Sequence, residues 1–397
     1  MGLIETSGQD GAAVVGKDEL VARARALAPR FRRRAADAEQ ARGLPAESVA
    51  DLLEAGFARI LAPVRYGGYA LGLETSFEVI RELGKGDVSH AWCGALMIEI
   101  PRYIASYPQP AQEAVWAAGP DVALAGSIMP LAGVTPVAGG YRLSGRSPFS
   151  SGVNHASWVF LGGMIPGDGP PEWGLFLVPR TDYEVVDTWD TAAMSATGSN
   201  TVVTDDVFVP ETHVLKLADL REGRTSSDER YDGRLYRSPH IAWAPLTFVL
   251  PLLGAGQAAY EEHVAWLSGR RAPDGSRVAD APATQAMLGR VAADLDAAEL
   301  LLRRIAVTAE TAEPPSLLLR ARAMRDYTRS TQLILDAVDA LVAASGTAAF
   351  SSVNALQRTW RDVHFAASHA SLGAHENYAH WGRMALGIER PAGQPFF

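Results

Sequence analysis

The sequence predicts an α+β protein that is mostly helical, with an N-terminal helical domain, a central antiparallel β-domain and a C-terminal helical bundle. Apolar residues recur at helical spacing in the first and last parts of the chain, whereas short β-branched runs broken by glycine occupy the middle. The length of 397 residues is enough for two or three domains that share a large buried core.

The first domain is predicted to span residues 1–120. Helical periodicity runs from Lys17 to Trp116, in the segments DELVARARALAPRFRRRAADAEQARG, ESVADLLEAGF and LETSFEVIRELGKG. Pro63 and the pair Gly67 and Gly68 interrupt this pattern, so we expect turns there.

The β-domain is predicted over residues 121–225, where the runs GGYRLSG, SWVFLGG, WGLFLVPR and NTVVTDDVFVPE alternate with turns. The C-terminal domain, 226–397, contains the long helical patterns GRVAADLDAAELLLRRIAVTAE and STQLILDAVDALVAASG. Between the last two domains, Ala218–Arg234 is polar and has no periodicity, which predicts an exposed loop.

Composition and charge exclude several classes of function. The net charge of -9 and the absence of a block of like charges argue against a nucleic-acid or membrane-surface binder. The single cysteine, Cys93, excludes an internal disulfide framework, and no apolar run reaches the roughly twenty residues of a membrane span. The first residues lack the pattern of a secretory signal, so we expect a cytoplasmic protein.

Common cofactor and catalytic motifs are missing. There is no GxxxxGK[ST] loop, and GAGQAAY, which begins at Gly254, lacks the third glycine of a dinucleotide fingerprint and predicts a close helix contact instead. We therefore expect no nicotinamide site. No pair among the nine histidines has HExxH spacing, so we expect no metal, and no serine lies in GxSxG.

Five segments resemble the acyl-CoA dehydrogenase superfamily, in the order in which that family has them. They are APVRYGG, LGKGDVSHAW, TAAMSATGSNTVVTDDVFVPE, LPLLGAGQAAYEEHVAWLSGR and WRDVHFAASHASL, and together they span essentially the full chain. The resemblance implies the acyl-CoA dehydrogenase-like fold, in which the C-terminal domain is a four-helix bundle that assembles the subunits into a homotetramer.

Within that superfamily, AGSIMPLAGVTPVAGGYRLSGRSPFSSGVNHASW resembles the flavin-dependent monooxygenases, in particular aromatic polyketide hydroxylases of the actinorhodin type. The dehydrogenases carry a carboxylate on their last helices that removes a proton from the acyl-CoA, and this chain has Ala370 at one usual place for it. Some dehydrogenases carry the base on another helix, so that activity stays open.

The resemblance therefore implies the oxygenase component of a two-component monooxygenase. Such an enzyme hydroxylates a phenolic, polycyclic aromatic substrate with O2 through a C4a-hydroperoxyflavin. The reduced flavin, FMN as first choice and FAD as second, is expected to come from a separate NAD(P)H:flavin reductase, because we expect no nicotinamide site in this chain.

Site residues are also implied by the resemblance. Ser150, with Ser151 beside it, matches the residue that donates a hydrogen bond toward flavin N5, although both serines could instead only cap a tight turn. His369 matches a base that deprotonates a phenol, and a packed histidine is the alternative. The other flavin contacts implied are Trp92, Gly126, Ser127, Thr197, Ser199 and, across a subunit boundary, Arg271, which could equally be a solvated charge.

One departure from the relatives concerns the substrate. Related hydroxylases often have a second histidine seven or eight residues after the tryptophan that matches Trp92, where this chain has Glu99 and Ile100. Glu99 lies in the apolar run ALMIEIP, so it is either a buried acid with a raised pKa that contacts the substrate or a satisfied structural group.

Three alternative functions remain open at this point. An N-oxygenase of amino sugars, similar to the nitrososynthases, would have a polar pocket without stacked aromatic rings. An acyl-CoA dehydrogenase would hold oxidised FAD tightly, and a non-catalytic protein on this scaffold would bind no flavin.

Overall fold

The computed structural model describes residues 15–224, 234–311 and 316–389. Within the described residues, five α-helices precede the sheet: α1 (Lys17–Ala41), α2 (Ala46–Glu54), α3 (Leu73–Gly84), α4 (Val88–Ile104) and α5 (Gln109–Val115). Helix α4 runs through the middle of the molecule, and every residue in it except Leu96 is buried. It begins at Asp87, whose carboxylate accepts a hydrogen bond from the backbone N–H of His90 at 3.0 Å.

The middle of the chain forms one seven-stranded sheet. Its strands are β1 (Leu124–Val137), β2 (Gly140–Ser150), β3 (Trp158–Ile165), β4 (Glu172–Pro179), β5 (Glu184–Val186), β6 (Asn200–Pro210) and β7 (Val214–Lys216). They lie in the order β5-β6-β2-β1-β3-β4-β7. Helix and sheet share a core, because Ile104 of α4 packs in one cluster with Phe160 of β3 and Leu175 of β4. Because this core extends across the predicted boundary at residue 120, the domain boundaries at residues 120 and 225 stay a prediction.

The expectation of an antiparallel sheet needs one correction, because β1 and β3 pair in parallel with Leu124 opposite Trp158. The other strand pairs are antiparallel. The antiparallel hairpin of β1 and β2 explains why β1 and β3 are parallel. Strand β2 brings the chain back to the end of the sheet where β1 begins, so β3 starts there and runs in the same direction as β1.

A β-bulge ends strand β2. Ser147 lies opposite Val202 and Ser150 lies opposite Asn200, so two residues of β2 face one residue of β6. Phe149, inside the bulge, has a left-handed backbone with φ of 64° and an exposed ring. The extra residue breaks the alternation of the strand, so that the side chains of both Ser147 and Ser150 are buried.

The remaining helices follow the sheet. They are α6 (Leu217–Glu222), α7 (Arg234–Arg237), α8 (His240–Trp243), α9 (Leu246–Ser268), α10 (Pro282–Thr311), α11 (Leu317–Ser345), α12 (Ala355–Ala367) and α13 (Ala374–Ala385). Helices α9, α10 and α11 pack against one another, and α12 and α13 pack against α11. Among the described residues one helical stretch, Leu317–Phe350, is apolar and long enough to cross a membrane, but it is the centre of this bundle.

The predicted exposed loop at Ala218–Arg234 is wrong in its first part. Residues up to Glu222 belong to α6, because Leu217 and Leu220, three residues apart, bury one face of a short helix. Residues 225–233 lie outside the described ranges.

The close helix contact predicted for GAGQAAY is confirmed. A Cβ atom at Gly254 would lie 2.0 Å from the carbonyl oxygen of Arg81, and one at Gly84 would lie 2.5 Å from that of Pro251. Helices α3 and α9 therefore touch through their backbones, and this contact sets the distance between the N-terminal helices and the bundle.

Replacing Gly254 by Ala tests this contact. We expect Gly254→Ala to lower the free energy of unfolding by about 1–3 kcal/mol, because the methyl group must push α3 and α9 apart. Gly289→Ala is the matched control, since Gly289 is exposed in α10 with no atom within 4 Å of its added Cβ. That change should raise stability by up to about 1 kcal/mol. Urea unfolding followed by circular dichroism measures both, and equal effects would contradict the contact.

Candidate active site

Three aromatic rings meet where α4, α9 and the turn after α12 approach one another. The ring of Trp92 lies 4.8 Å from that of Phe248 and 5.7 Å from that of His369, measured between centroids. Phe248 and His369 are 4.1 Å apart and inclined by 31°, so they are nearly stacked. The residues come from positions 92, 248 and 369, so only the folded chain forms this cluster.

A chain of hydrogen bonds starts from the same tryptophan. The indole N–H of Trp92 donates to Ser151 Oγ at 3.2 Å, and the hydroxyls of Ser151 and Ser199 lie 2.7 Å apart. Ser199 is also 2.7 Å from Thr197 Oγ1, which donates to the carbonyl of Met194 at 2.8 Å. An indole N–H can only donate and a carbonyl can only accept, so every hydroxyl between them must accept one bond and donate one.

The end of this chain is held by α12. The carboxylate of Asp362 accepts the backbone N–H of Met194 at 2.7 Å, and Met194 has a left-handed backbone with φ of 53°. Burial and the nearby charge of Asp87 raise the pKa of Asp362 to about 7, although the bond from Met194 opposes this shift. The neighbouring Arg361 pairs with Glu39 of α1 at 2.7 Å. Asp362 and Arg361 thus tie helices and the loop together, and neither adjoins the ring cluster in any described contact.

The imidazole of His369 is uncharged near neutral pH, because burial lowers its pKa to about 4. Its Nδ1 accepts the backbone N–H of Ser371 at 3.3 Å and lies 2.8 Å from Ser371 Oγ. A backbone N–H can only donate, so Nδ1 carries no proton and the proton of the neutral ring is on Nε2. Within the described part of the chain, no hydrogen bond to Nε2 is present. His369 therefore offers a free N–H donor beside Trp92 and Phe248.

The two serines of the FSSG turn have different surroundings. Ser151 is half-buried and belongs to the hydrogen-bond chain. Ser150 is fully buried, and its hydroxyl has no hydrogen-bond partner among the described residues. An unpaired buried hydroxyl costs stability, and such groups commonly mark a place that a ligand completes.

Gly126 and Ser127 lie on β1 next to this turn. A Cβ atom at Gly126 would lie 2.3 Å from the ring of Phe160, so only glycine leaves room for that ring. Ser127 Oγ donates to the carbonyl of Pro148 at 2.8 Å and so joins the start of β1 to the end of β2. Both residues therefore shape the wall that carries Ser150.

Glu99 is buried two turns along α4 from Trp92, and its carboxylate pairs with Arg102 at 3.2 Å. Burial raises the pKa of Glu99, and the positive charge of Arg102 acts in the opposite direction. Because the carboxylate already has this partner, Glu99 is a paired group rather than a free one.

Arg271 does not join the other predicted site residues. It lies in the exposed segment between α9 and α10, where its guanidinium donates to the carbonyl of Gly275 at 2.8 Å. Within one chain, it has no described contact with the ring cluster or the serines. The described ranges also contain no group of three His, Cys, Asp or Glu residues that could hold a metal ion.

Sequence reasoning missed two residues at this site. Phe248 is one of several apolar residues in LTFVLPLL, and nothing in that run distinguishes the side chain that faces His369. Arg102 did have a signal, because an arginine three residues after Glu99 on a helix can pair with it.

The donor set fits a flavin ring. Its polar edge needs hydrogen-bond partners, and the site has the unpaired hydroxyl of Ser150 next to a chain of three more hydroxyls. Its flat apolar part needs aromatic and aliphatic neighbours, which Trp92 and Phe248 supply.

Two family models match the chain at its ends. The model of the acyl-CoA dehydrogenase N-terminal domain matches residues 17–119, and that of the acyl-CoA dehydrogenase C-terminal domain matches residues 246–373.

Known proteins resemble the chain over nearly its whole length. It is 34% identical over 381 residues to the oxygenase subunit HsaA of a flavin-dependent monooxygenase from Rhodococcus jostii (strain RHA1), covering 91% of this chain and 97% of that protein. It is 33% identical to the oxygenase component of an FADH2-dependent resorcinol hydroxylase from Rhizobium sp. (strain MTP-10005), over 94% of this chain and 95% of the relative. The structure of XiaF from Streptomyces sp. in complex with FADH2 and glycerol superposes with a TM-score of 0.87 at 31% identity, over 94% of this chain and 96% of the other.

Removing one hydroxyl from the chain between Trp92 and Met194 tests its role. Ser199→Ala leaves the Ser151 hydroxyl without an acceptor and takes a donor from Thr197. We expect the free energy of unfolding to fall by about 1–3 kcal/mol, the cost of unpaired buried hydroxyls. Ser268→Ala is the control, because the Ser268 hydroxyl is exposed and bonds only to Ala265 of its own helix. Urea titration compares the two, and a loss no greater than that of the control would contradict the chain.

Proposed function

We propose that the substrate of this protein is an extended phenol. The chain belongs to the acyl-CoA dehydrogenase family, and it is the oxygenase component of a two-component flavin-dependent monooxygenase that acts on aromatic compounds. The observation that carries this proposal is the ring cluster of Trp92, Phe248 and His369, with a free N–H on the histidine. These aromatic side chains favour a flat ring packed against them, and the N–H of the histidine favours an oxygen on that ring. A polycyclic aromatic such as an aromatic polyketide fits both requirements.

Two alternatives are less well supported. An amino-sugar N-oxygenase needs a pocket lined by polar groups, whereas the rings of Trp92 and Phe248 are apolar and in contact with each other. An acyl-CoA dehydrogenase needs a carboxylate base, but Ala370 occupies one usual position for it and the carboxylate of Asp362 is bound to Met194.

The residues that would hold the reduced flavin are those around the FSSG turn. Ser150 has the unpaired hydroxyl that can serve flavin N5, and Ser151, Thr197 and Ser199 supply the neighbouring hydroxyls. Trp92, Gly126 and Ser127 form the adjoining wall. When bound, reduced flavin supplies the two electrons and the activation of O2 that hydroxylation needs. One similar protein is named as FADH2-dependent and another was solved in complex with FADH2, so FAD is as good a candidate as FMN for the flavin of this chain.

The chain's own residues act by positioning and by excluding water. The directional hydrogen bonds hold the Trp92 indole in one orientation, which fixes the aromatic wall. Ser150 lies in a fully buried place, so a hydrogen bond that it makes there has no competition from solvent. This arrangement favours transfer of oxygen to the substrate over release of hydrogen peroxide.

For His369 the structure favours a role different from that of a general base. The nitrogen available to the substrate bears the proton of the neutral ring, so His369 would donate a hydrogen bond to the phenol oxygen. Such a donor stabilises the phenolate form, which makes the ring carbons ortho to the oxygen more nucleophilic. The phenol would release its proton to solvent as it binds, before water is excluded from the site.

The partners follow from the two-component chemistry. A separate NAD(P)H:flavin reductase would deliver reduced flavin in the cytoplasm, and O2 and the phenol are the other reactants.

We also propose a homotetramer, in which Arg271 of one chain reaches the flavin phosphate or ribose held by its neighbour. Arg271 is exposed and has no described contact with the serines of its own chain, which supports this arrangement.

The reaction and the role of His369 can be tested together. The purified chain, supplied with a flavin reductase, NADH and either FMN or FAD, should hydroxylate 2-naphthol and leave naphthalene unchanged. Chromatography with mass detection measures the product, and a peroxidase assay measures hydrogen peroxide.

His369→Ala should lower the amount of hydroxylated product at least tenfold and raise the amount of hydrogen peroxide, whereas His369→Gln, which keeps an N–H donor, should retain part of the activity. Because the pKa of His369 is about 4, its protonation should not limit the rate between pH 6 and 8.

His364→Gln is the matched control, since His364 lies on α12 and pairs with Asp339 at 2.9 Å. Equal losses for Ala and Gln at position 369, with an acid limb near pH 6.5, would favour the general base instead. Peroxide without product from every phenol, or oxidation of an acyl-CoA, would overturn the monooxygenase proposal for phenols.

The role of Arg271 has its own test. Arg271→Ala should weaken binding of reduced flavin at least tenfold without changing the mass of the assembly in light scattering, because one charged phosphate contact is lost. Arg277→Ala is the control, as Arg277 pairs with Arg271 through the backbone alone and its guanidinium has one described contact, 3.9 Å from Asp280. Equal binding in both variants would show that Arg271 is a solvated charge.

A further inference from the structure

The ring cluster continues into an internal surface formed by two helices. On α4, which is otherwise buried, Leu96 is the one residue with partial exposure. On the facing segment from Ala242 to Gly256, only Ala244 and Phe248 are partly exposed. Leu96 and Ala244 pack against the same apolar cluster, so these residues extend the wall that begins at Trp92.

Helical geometry gives the direction of this surface. Trp92, Leu96 and Glu99 are four and three residues apart, so they lie on one face of α4. Seven residues at the helical rise place Glu99 about 10 Å beyond Trp92 along the axis. On the other side, His240 precedes Ala244 by four residues. The apolar wall therefore ends at the polar residues Glu99 and His240.

Arg102 stands behind this polar end with unused hydrogen-bond donors. Its guanidinium is fully buried, with Nε bound to the carbonyl of Leu235 at 3.0 Å and Nη1 to Glu99 at 3.2 Å. Nη2 has no partner among the described residues. A buried charged donor left unpaired is costly, so a group that binds there would recover that cost.

The neighbouring histidine does not compete with Arg102 for an anion. His240 is fully buried and lies 3.4 Å from the Ser106 hydroxyl through Nε2. Burial and the charge of Arg102 lower the pKa of His240 well below its usual value, so its ring is neutral. Arg102 is thus the cation at this end of the wall, and Glu99 holds it in place.

We propose that Nη2 of Arg102 binds an oxygen acceptor, a carboxylate or a carbonyl, at the far end of an elongated aromatic substrate. The hydroxylated ring lies at the other end, against the ring cluster of Trp92, Phe248 and His369. This inference rests on the proposed function and narrows its substrate class to phenols with a second oxygen about two helical turns away. It also makes Glu99 a positioning residue and gives the substrate contact to Arg102.

Binding to the flavin-free protein tests the inference by isothermal titration calorimetry. The probes are 4′-hydroxybiphenyl-4-carboxylate, the matching methyl ketone 4-acetyl-4′-hydroxybiphenyl, and 4-phenylphenol, which lacks the distal oxygen. We expect the carboxylate to bind about tenfold or more tightly than 4-phenylphenol, since a charge-assisted hydrogen bond is added. A similar gain for the ketone would identify hydrogen bonding as the source, and a gain for the carboxylate alone would identify charge.

Two variants with opposite expected effects complete the test. Arg102→Lys keeps a cation beside Glu99 but removes the second guanidinium arm, and it should abolish most of the preference. Glu99→Gln keeps an acceptor for Nη1 and removes the competing charge, so it should increase the preference for the carboxylate. If Arg102→Lys does not fold, the change in carboxylate preference that Glu99→Gln produces still tests the inference.

No preference in the wild-type protein, or a preference that both variants leave unchanged, would overturn the inference. Failure of the proposed function gives a different result. In that case the wild-type protein would show the preference in calorimetry but form no hydroxylated product from any of the three phenols with reduced flavin.

Discussion

The directional hydrogen-bond chain from Trp92 to the carbonyl of Met194 is the interaction on which the site depends. It joins α4, the turn after β2 and the loop before β6, which are three segments that the chain order keeps apart. Because a donor ends it on one side and an acceptor on the other, each hydroxyl has only one orientation. The bond from Met194 to Asp362 then fixes the same loop to α12.

Helix α4 carries most of the consequences. It begins at the N-cap residue Asp87, presents Trp92 to the ring cluster and ends near the pair of Glu99 and Arg102. A helix buried on all sides would ordinarily be apolar, and here polar groups are tolerated because nearly all of them are paired. The unpaired Nη2 of Arg102 on the helix and the unpaired hydroxyl of Ser150 beside it lie at the two places where the proposals put a ligand.

Backbone features support these positions at some cost. The bulge that buries Ser150 places Phe149 in a left-handed conformation, which an L-residue with a bulky side chain adopts at a cost of about 1–2 kcal/mol. The contact of Gly84 with Gly254 brings α3 close to α9, the helix that carries Phe248. The site thus combines strained and close-packed backbone with a rigid network of side chains.

The sequence by itself determined the order of helical, β and helical segments and the family, and it supplied candidate site residues, because periodicity and local motifs depend on neighbouring residues. It also indicated the glycine contact of GAGQAAY and most residues of the serine turn. It missed the parallel pairing of β1 with β3, the helix at Leu217–Glu222 and the meeting of Phe248 with His369. Only the tertiary structure decided that the accessible nitrogen of His369 bears a proton and that Glu99 is paired with a partly unsatisfied Arg102. Those properties arise from contacts and burial between distant segments, which no local pattern encodes.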